Sequence, residues 1–173
     1  MTFLGFRRPD GRVGVRNHVA VISSVVCANG IVQAIGRALP EVKGIPHTEG
    51  CGRGPSEMLL ASRTLIGLGK NPNVAAILVV GLGCEFIKPE ILLSGIADCG
   101  KPVESLTIQD EGGTVKAVKK GIEIARSLLE KSSEFKREEC SLSELTLGLE
   151  CGGSDAMSGV TANPLVGRVS DWL

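Results

Sequence analysis

Five short stretches of the chain read as buried strands, and each ends in a cluster of chemically active side chains. Val19–Val26 runs into Cys27-Ala28-Asn29, and Val42–Pro46 into His47-Thr48-Glu49-Gly50-Cys51-Gly52. Ala75–Val80 runs into Gly81-Leu82-Gly83-Cys84-Glu85, and Val103–Ile108 into Gln109-Asp110-Glu111-Gly112-Gly113. Leu145–Leu149 runs into Glu150-Cys151-Gly152-Gly153-Ser154-Asp155. Ala75–Val80 is an unbroken apolar run, as expected of a strand covered on both faces, and such strands belong to parallel sheets.

The stretches between the runs carry helical spacing. Ala28–Leu39 places Ile31, Ile35 and Leu39 on one face. Pro55 starts a helix with Met58, Leu59, Ser62, Leu65 and Ile66 as its apolar stripe, closed by Gly67–Asn73. Pro89–Ala97 is a short helix. Thr114–Phe135 sets Val115, Val118, Ile122, Ala125 and Leu129 against a lysine-rich face, with Thr114 as N-cap. Ser132–Ser143 reads as a loop, and Ser154 as the cap of a last helical turn before Asn163-Pro164. Strand–helix alternation predicts an α/β fold: a three-layer, doubly wound, Rossmann- or flavodoxin-like sheet of about five parallel strands. A 2-1-3-4-5 strand order is expected, in one domain spanning 1–173.

With 173 residues, two full domains are not expected. The abrupt apolar ending Val169-Ser170-Asp171-Trp172-Leu173 reads as a piece of something longer. Zero formal net charge, 3% aromatic residues and no tyrosine leave neither a basic footprint nor a stacking platform, so nucleic acid is not an expected partner. No apolar run reaches the roughly 18 residues of a membrane span, and the N-terminus lacks the apolar core of a secretory signal. Six cysteines in a chain with an ample apolar core read as reduced thiols of a cytoplasmic protein.

In an open parallel sheet, ligands bind outside the carboxyl ends of the strands. The residues gathered there by this reading divide by chemistry. His47, Cys51, Cys84 and Cys151 are candidate ligands for a borderline metal such as Fe(II) or Zn(II). His47, Glu49, Glu85 and Glu111 are candidate proton-transfer groups. Asn29, Gln109, Ser154 and Asp155 are candidate substrate-binding groups at the same edge. Arg12 and Arg16, in the basic lead-in Arg7–Arg16, are placed to grip a carboxylate. Each has a bland alternative as a packed thiol, capping acid or solvated arginine. Cys27 reads as a core residue; Cys99, Cys140 and His18 fall on the far edge.

Several stretches together resemble the altronate/galactarate dehydratase family of sugar-acid dehydratases, which includes the large subunit of sulfolactate sulfo-lyase. They are Arg8–Asn17, His47–Gly52, Asn71–Glu85, Leu106–Gly113, Leu147–Ala156 and Ser158–Pro164, and they cover nearly the whole chain in the family's order. The resemblance implies metal-assisted loss of water from a hexonate or hexarate to give a 2-keto-3-deoxy acid. Fe(II) is the implied cofactor, with Mn(II) or an iron–sulfur cluster as alternatives. Family members are longer, so a C-terminal half or a second copy is the implied partner, and little turnover is expected of this chain alone. Two other readings stay open: a module that binds a ligand or partner chain without catalysis, and an iron–sulfur lyase domain.

Overall fold

The computed structural model describes residues 1–153 and 155–173. The chain opens with an antiparallel hairpin, β1 (Thr2–Arg7) and β2 (Val13–Gly14), and enters the central sheet at β3 (His18–Ser23). A 3₁₀ turn, Val26–Ala28, leads to α1 (Asn29–Ala38), followed by β4 (Val42–Ile45) and α2 (Pro55–Lys70). Next come β5 (Val74–Gly81), α3 (Pro89–Ala97), β6 (Val103–Thr107) and α4 (Thr114–Ser132). β7 (Glu138–Ser141), a 3₁₀ turn at Leu142–Glu144 and α5 (Ala162–Trp172) complete the chain.

The central sheet is parallel, in the order β4-β3-β5-β6. β5 is buried at every residue, as its unbroken apolar run requires. Its residues alternate between two cores. Ala76, Leu78 and Val80 pack with Ile31, Val32 and Ile35 of α1 and with Ala117, Ala125 and Leu128 of α4. Ile77 and Val79 pack with Ala61 and Leu65 of α2 and with Leu92 and Ile96 of α3. This is the three-layer α/β architecture read from the sequence, and its strand order matches the first four strands of that reading.

The fifth strand is a correction. Leu145–Leu149 is irregular, although its leucines alternate as a strand would. α4 carries the chain back toward the amino ends of the strands. There β7, in the stretch read as a loop, pairs antiparallel with β1 in a separate three-stranded sheet, β2-β1-β7. Arg7 then holds Glu144 through its guanidinium, and residues 144–148 lie beside Arg12, Pro72 and Asn73. With its backbone routed there, the segment has no strand of the central sheet to pair with. No described residue after Cys140 is buried.

Two helix faces also differ from the periodic reading. In α4 the buried residues are Ala117, Gly121, Ala125, Leu128 and Ser132, while Val115 is 84% exposed. In α2 Leu65 is buried as expected, but Leu59 is exposed and Ala61 and Gly69 carry the packing. Small residues let these helices lie close to the sheet, which a count of large apolar side chains does not register. α4 is preceded by Gly113 at positive φ, so Thr114 is its first residue and not its cap.

Three cations from the amino edge converge on the end of α2. Lys101 Nζ donates to the Gly69 and Asn71 carbonyls (3.2 and 2.6 Å), Arg12 to the Lys70 carbonyl (2.8 Å) and Arg8 to the Pro72 carbonyl (2.7 Å). They satisfy carbonyls a helix end leaves orphaned and offset its negative pole. Burial pushes the Lys101 ammonium down to about 8 from an ordinary 10.5, against a smaller raising influence of Cys99. Between these values the unfolded chain binds the proton that the folded chain has released. Lys101 is therefore expected to make stability rise as pH climbs from about 8 to 10.5. Urea denaturation across that range should show this slope in the wild type and its loss in Lys101→Met.

Candidate functional site

β3 lies between β4 and β5, so the chain leaves it for opposite sides, and the carboxyl ends of β3 and β5 flank the switch point. Ser24 and Glu85 close this crevice. Glu85 is 2% exposed. Its Oε1 accepts the Ser24 hydroxyl (2.8 Å) and the Leu82 N–H (3.0 Å), and its Oε2 accepts the Gly83 N–H (2.6 Å). Burial alone would raise its proton affinity, but these donors outweigh it and hold the carboxyl below the ordinary carboxylate value. A carboxylate with its oxygens so engaged organises the turn and is not poised as a base. The turn also needs Gly83: its φ is +125°, and a methyl there would collide with the Gln109 carboxamide.

The loop after β4 is tied to β3 by Asn29. The Ser23 hydroxyl donates to Asn29 Oδ1, and Asn29 Nδ2 donates to the His47 carbonyl, both at 2.7 Å. His47 Nε2 donates to the Ser23 carbonyl (2.8 Å), and His47 Nδ1 accepts the Glu49 N–H (3.0 Å). A carbonyl can only accept, so this geometry selects the neutral tautomer protonated at Nε2. Both ring nitrogens are engaged, Nδ1 within the loop and Nε2 on β3, and the imidazole fixes the loop against the sheet. Asn29 thus positions this loop against β3.

Beyond His47 the chain turns through Gly50 and Gly52 into α2, where Pro55 sits in the first turn and Glu57 Oε2 accepts the Gly54 N–H (2.7 Å). Arg53 folds back on Glu49 as a two-pronged fork: Nε lies 2.9 Å from Oε2, and Nη2 donates to Oε1 (3.2 Å). His47, Glu49, Arg53 and Glu57 form the polar mouth of a pocket of about 300 Å³ that runs along α2, with Leu60, Leu65 and Leu68 on its apolar wall. Arg53 escaped the sequence reading, which sought arginines in the dense basic lead-in. The available signal was its place one residue past Gly52, inside the motif loop.

The structure separates other candidates. Arg12 and Arg16 lie at the amino edge, opposite His47, because the β1–β2 hairpin packs on the residues that precede β5. Arg12 pairs with Asp10 (2.6 Å), and Arg16 Nη1 donates to the Val15 carbonyl. Neither can share a ligand with His47. Gln109 and Glu111 follow β6 at the carboxyl edge as expected, Gln109 against Gly83. Cys27 is exposed, not core; Cys99 and Cys140 are buried. Asp155 caps a turn by accepting the Met157 N–H (2.8 Å), and Ser154 lies outside the described residues.

The expected metal donors are not gathered. Cys84 is exposed, Cys51 is half-buried against the α1/α4 core, and exposed Cys151 follows the segment routed along the amino edge. Among the described residues, no three His, Cys, Asp or Glu side chains form a group that could hold a metal. All six thiols are free. Among the described residues, the side chains present do not assemble a site for Fe(II), Mn(II) or an iron–sulfur cluster. Among the described residues, no helix is long and apolar enough to cross a membrane.

The family model for D-galactarate dehydratase/altronate hydrolase, second domain, matches residues 5–133. The D-galactarate/altronate dehydratase C-terminal model matches residues 142–173. The galactarate dehydratase (L-threo-forming) of Escherichia coli is 41% identical over 192 residues, covering 99% of this chain and 37% of that protein. The (2R)-sulfolactate sulfo-lyase subunit beta of Chromohalobacter salexigens is 39% identical over 172 residues, covering 99% and 43%. The altronate dehydratase of Bacillus subtilis is 36% identical over 186 residues, covering 99% and 36%. The chain therefore spans less than half the length of these curated relatives. No solved structure gives a significant match.

Proposed function

The chain belongs to the D-galactarate dehydratase/altronate hydrolase family of lyases, and on that premise we propose that it is a domain of a sugar-acid dehydratase acting on a hexonate or hexarate. The observation that carries the reading is the His47–Glu49–Arg53 loop, which sets an imidazole, a carboxylate and a guanidinium at the mouth of one pocket on the ligand-binding edge. Loss of water from a 2,3-dihydroxy acid breaks the C2–H and C3–O bonds. The electron pair of C2–H becomes the C2–C3 double bond, and the C3 hydroxide leaves with a proton as water. The enol at C2 then ketonises to the 2-keto-3-deoxy acid.

Glu49 is the group we assign to the C2 proton. Its carboxylate lines the pocket and is held by the solvent-accessible Arg53 fork, whereas Glu85 is buried and bonded to the backbone and both His47 nitrogens are engaged. Once protonated, Glu49 can return the proton to the departing hydroxide, so one carboxyl balances the reaction. His47 and Asn29 hold the loop in register with β3.

The test is a ¹H NMR assay in D₂O with galactarate and altronate. It follows exchange at C2, which needs only the base, and formation of the 2-keto-3-deoxy acid. Exchange is expected with the wild-type chain, reduced by about 10²–10⁴-fold in Glu49→Gln. No exchange and no product from any hexonate or hexarate would remove the proposal.

The similarity to the sulfo-lyase subunit supports a second reading at the same site. Sulfolactate also loses its C2 proton, but sulfite departs from C3 and the enol ketonises to pyruvate. Release of sulfite from sulfolactate, without turnover of hexarates, would select that reading.

A further inference from the structure

We propose that Arg53 is the receptor for a substrate carboxylate, and that binding there frees Glu49 by exchanging one carboxylate partner for another. This rests on the sugar-acid reading of the same pocket. An anionic ligand at the carboxyl edge has two positions built by backbone and side chains. The first is the turn after β5, where the Leu82 and Gly83 N–H groups converge as an anion-binding nest. That position is already filled: Glu85 is its resident anion, bonded to both N–H groups and to Ser24. Lys88, the nearby cation, donates its Nζ to the Gly83 carbonyl (3.1 Å) and reinforces the closed turn.

The second position is Arg53. It is the arginine that lines the pocket, and it is 45% exposed at the side chain, so a ligand can reach it. Its fork already holds a carboxylate in two-pronged fashion, that of Glu49. A planar guanidinium shaped around one carboxylate accepts another of the same geometry. The pocket continues from Arg53 along α2 past Leu60, Leu65 and Leu68, which offer apolar contact to the carbon chain of a bound acid. When the ligand takes the fork, both Glu49 oxygens are released a few ångströms from the bound acid, where its C2 proton lies. The Arg53–Glu49 ion pair then acts as a cover that the correct functional group removes, and a neutral polyol cannot.

The experiment is an NMR titration of the chain with three probes: galactarate, the shorter hydroxy-diacid tartrate, and galactitol, which has the hydroxyls but no carboxylate. The Arg53 Nε–Hε resonance and the amides of residues 47–54 are the readout. Galactarate is expected to shift both, and galactitol neither. Arg53→Ala should weaken galactarate about 10- to 100-fold and Arg53→Lys by less, since a single charge survives without the fork. Glu49→Gln should tighten binding, because the competing carboxylate is gone. Arg12→Ala and Arg16→Ala, at the opposite edge, should leave binding unchanged. Unaltered galactarate affinity in a folded Arg53→Ala chain overturns the proposal, as does weaker binding in Glu49→Gln. An Arg53 resonance silent to every carboxylate also overturns it. If tartrate engages Arg53 and galactarate does not, the carboxylate subsite stands and the hexarate reading falls. If galactarate binds with Arg53 silent, the hexarate reading stands and the subsite falls.

Discussion

Glu85→Ala is expected to destabilise the protein by about 3–5 kcal/mol, enough to leave a small domain marginal. The variant strips a common acceptor from three donors: the Ser24 hydroxyl and the Leu82 and Gly83 N–H groups. A buried donor left unpaired costs about 1–3 kcal/mol, and the Ser24 hydroxyl is buried while the two N–H groups are partly so. Glu85→Gln keeps the shape and one carbonyl oxygen but places an NH₂ where Gly83 N–H needs an acceptor, so it should cost about 2 kcal/mol. The same carboxylate contributes to acid sensitivity. Its folded pKa is lowered, so the unfolded chain takes up the proton first as pH falls. The Glu85 contribution is complete above its ordinary value of 4.5 and is lost progressively below it. Urea denaturation at pH 7 and pH 3.5–5 checks both points. A wild-type minus Glu85→Gln difference that stays flat with pH would contradict the assignment.

Arg8→Ala should cost about 2–4 kcal/mol, far more than either Arg12→Ala or Arg16→Ala. Arg8 is 2% exposed and donates to the Pro72 carbonyl (2.7 Å), to Asn17 Oδ1 (2.8 Å) and to the Arg16 carbonyl (2.9 Å). Its guanidinium also lies over the rings of Phe135 (5.0 Å) and Phe6 (5.6 Å). One side chain thus joins the hairpin, the loop before β5 and the end of α4. Burial pulls its guanidinium below the ordinary arginine value, with Asp10 opposing, yet hydrogen bonding keeps it paired throughout. The Pro72 and Arg16 carbonyls would lose their donor in Arg8→Ala, and the two rings would lose their packing. Arg8→Lys should recover part of the loss through its stem and one donor, but not the three-way fork. Thermal melting of the four variants orders them; an Arg8→Ala melting temperature within error of Arg16→Ala would refute this role.

Much of the central domain was legible in local pattern. An unbroken apolar run can only be a strand if both faces are covered, so Ala75–Val80 announced a central parallel strand and the helices on either side of it. Pro55 and Pro89 marked their helix starts because proline suits a first turn and no interior one. Glycine-bearing turns after β4 and β5 pointed to the carboxyl edge, where His47, Glu49, Cys84 and Glu85 are found.

What escaped local pattern was decided at long range. Leu145–Leu149 has the alternation of a strand, but strand formation requires a partner backbone, and β7 had already led the chain to the opposite edge. Arg12 and Arg16 have the chemistry of carboxylate receptors, but the hairpin that carries them packs on Pro72 and Asn73. The roles of Glu85 and Arg53 were set by their partners: three donors, one buried and two partly buried, consume one carboxylate, while a solvent-facing fork leaves the other charge exchangeable. Residue type and spacing determined which chemistry this chain can bring to the end of a strand. The tertiary structure decided which groups have atoms left to use, because hydrogen-bond saturation and sheet edge depend on segments distant in sequence.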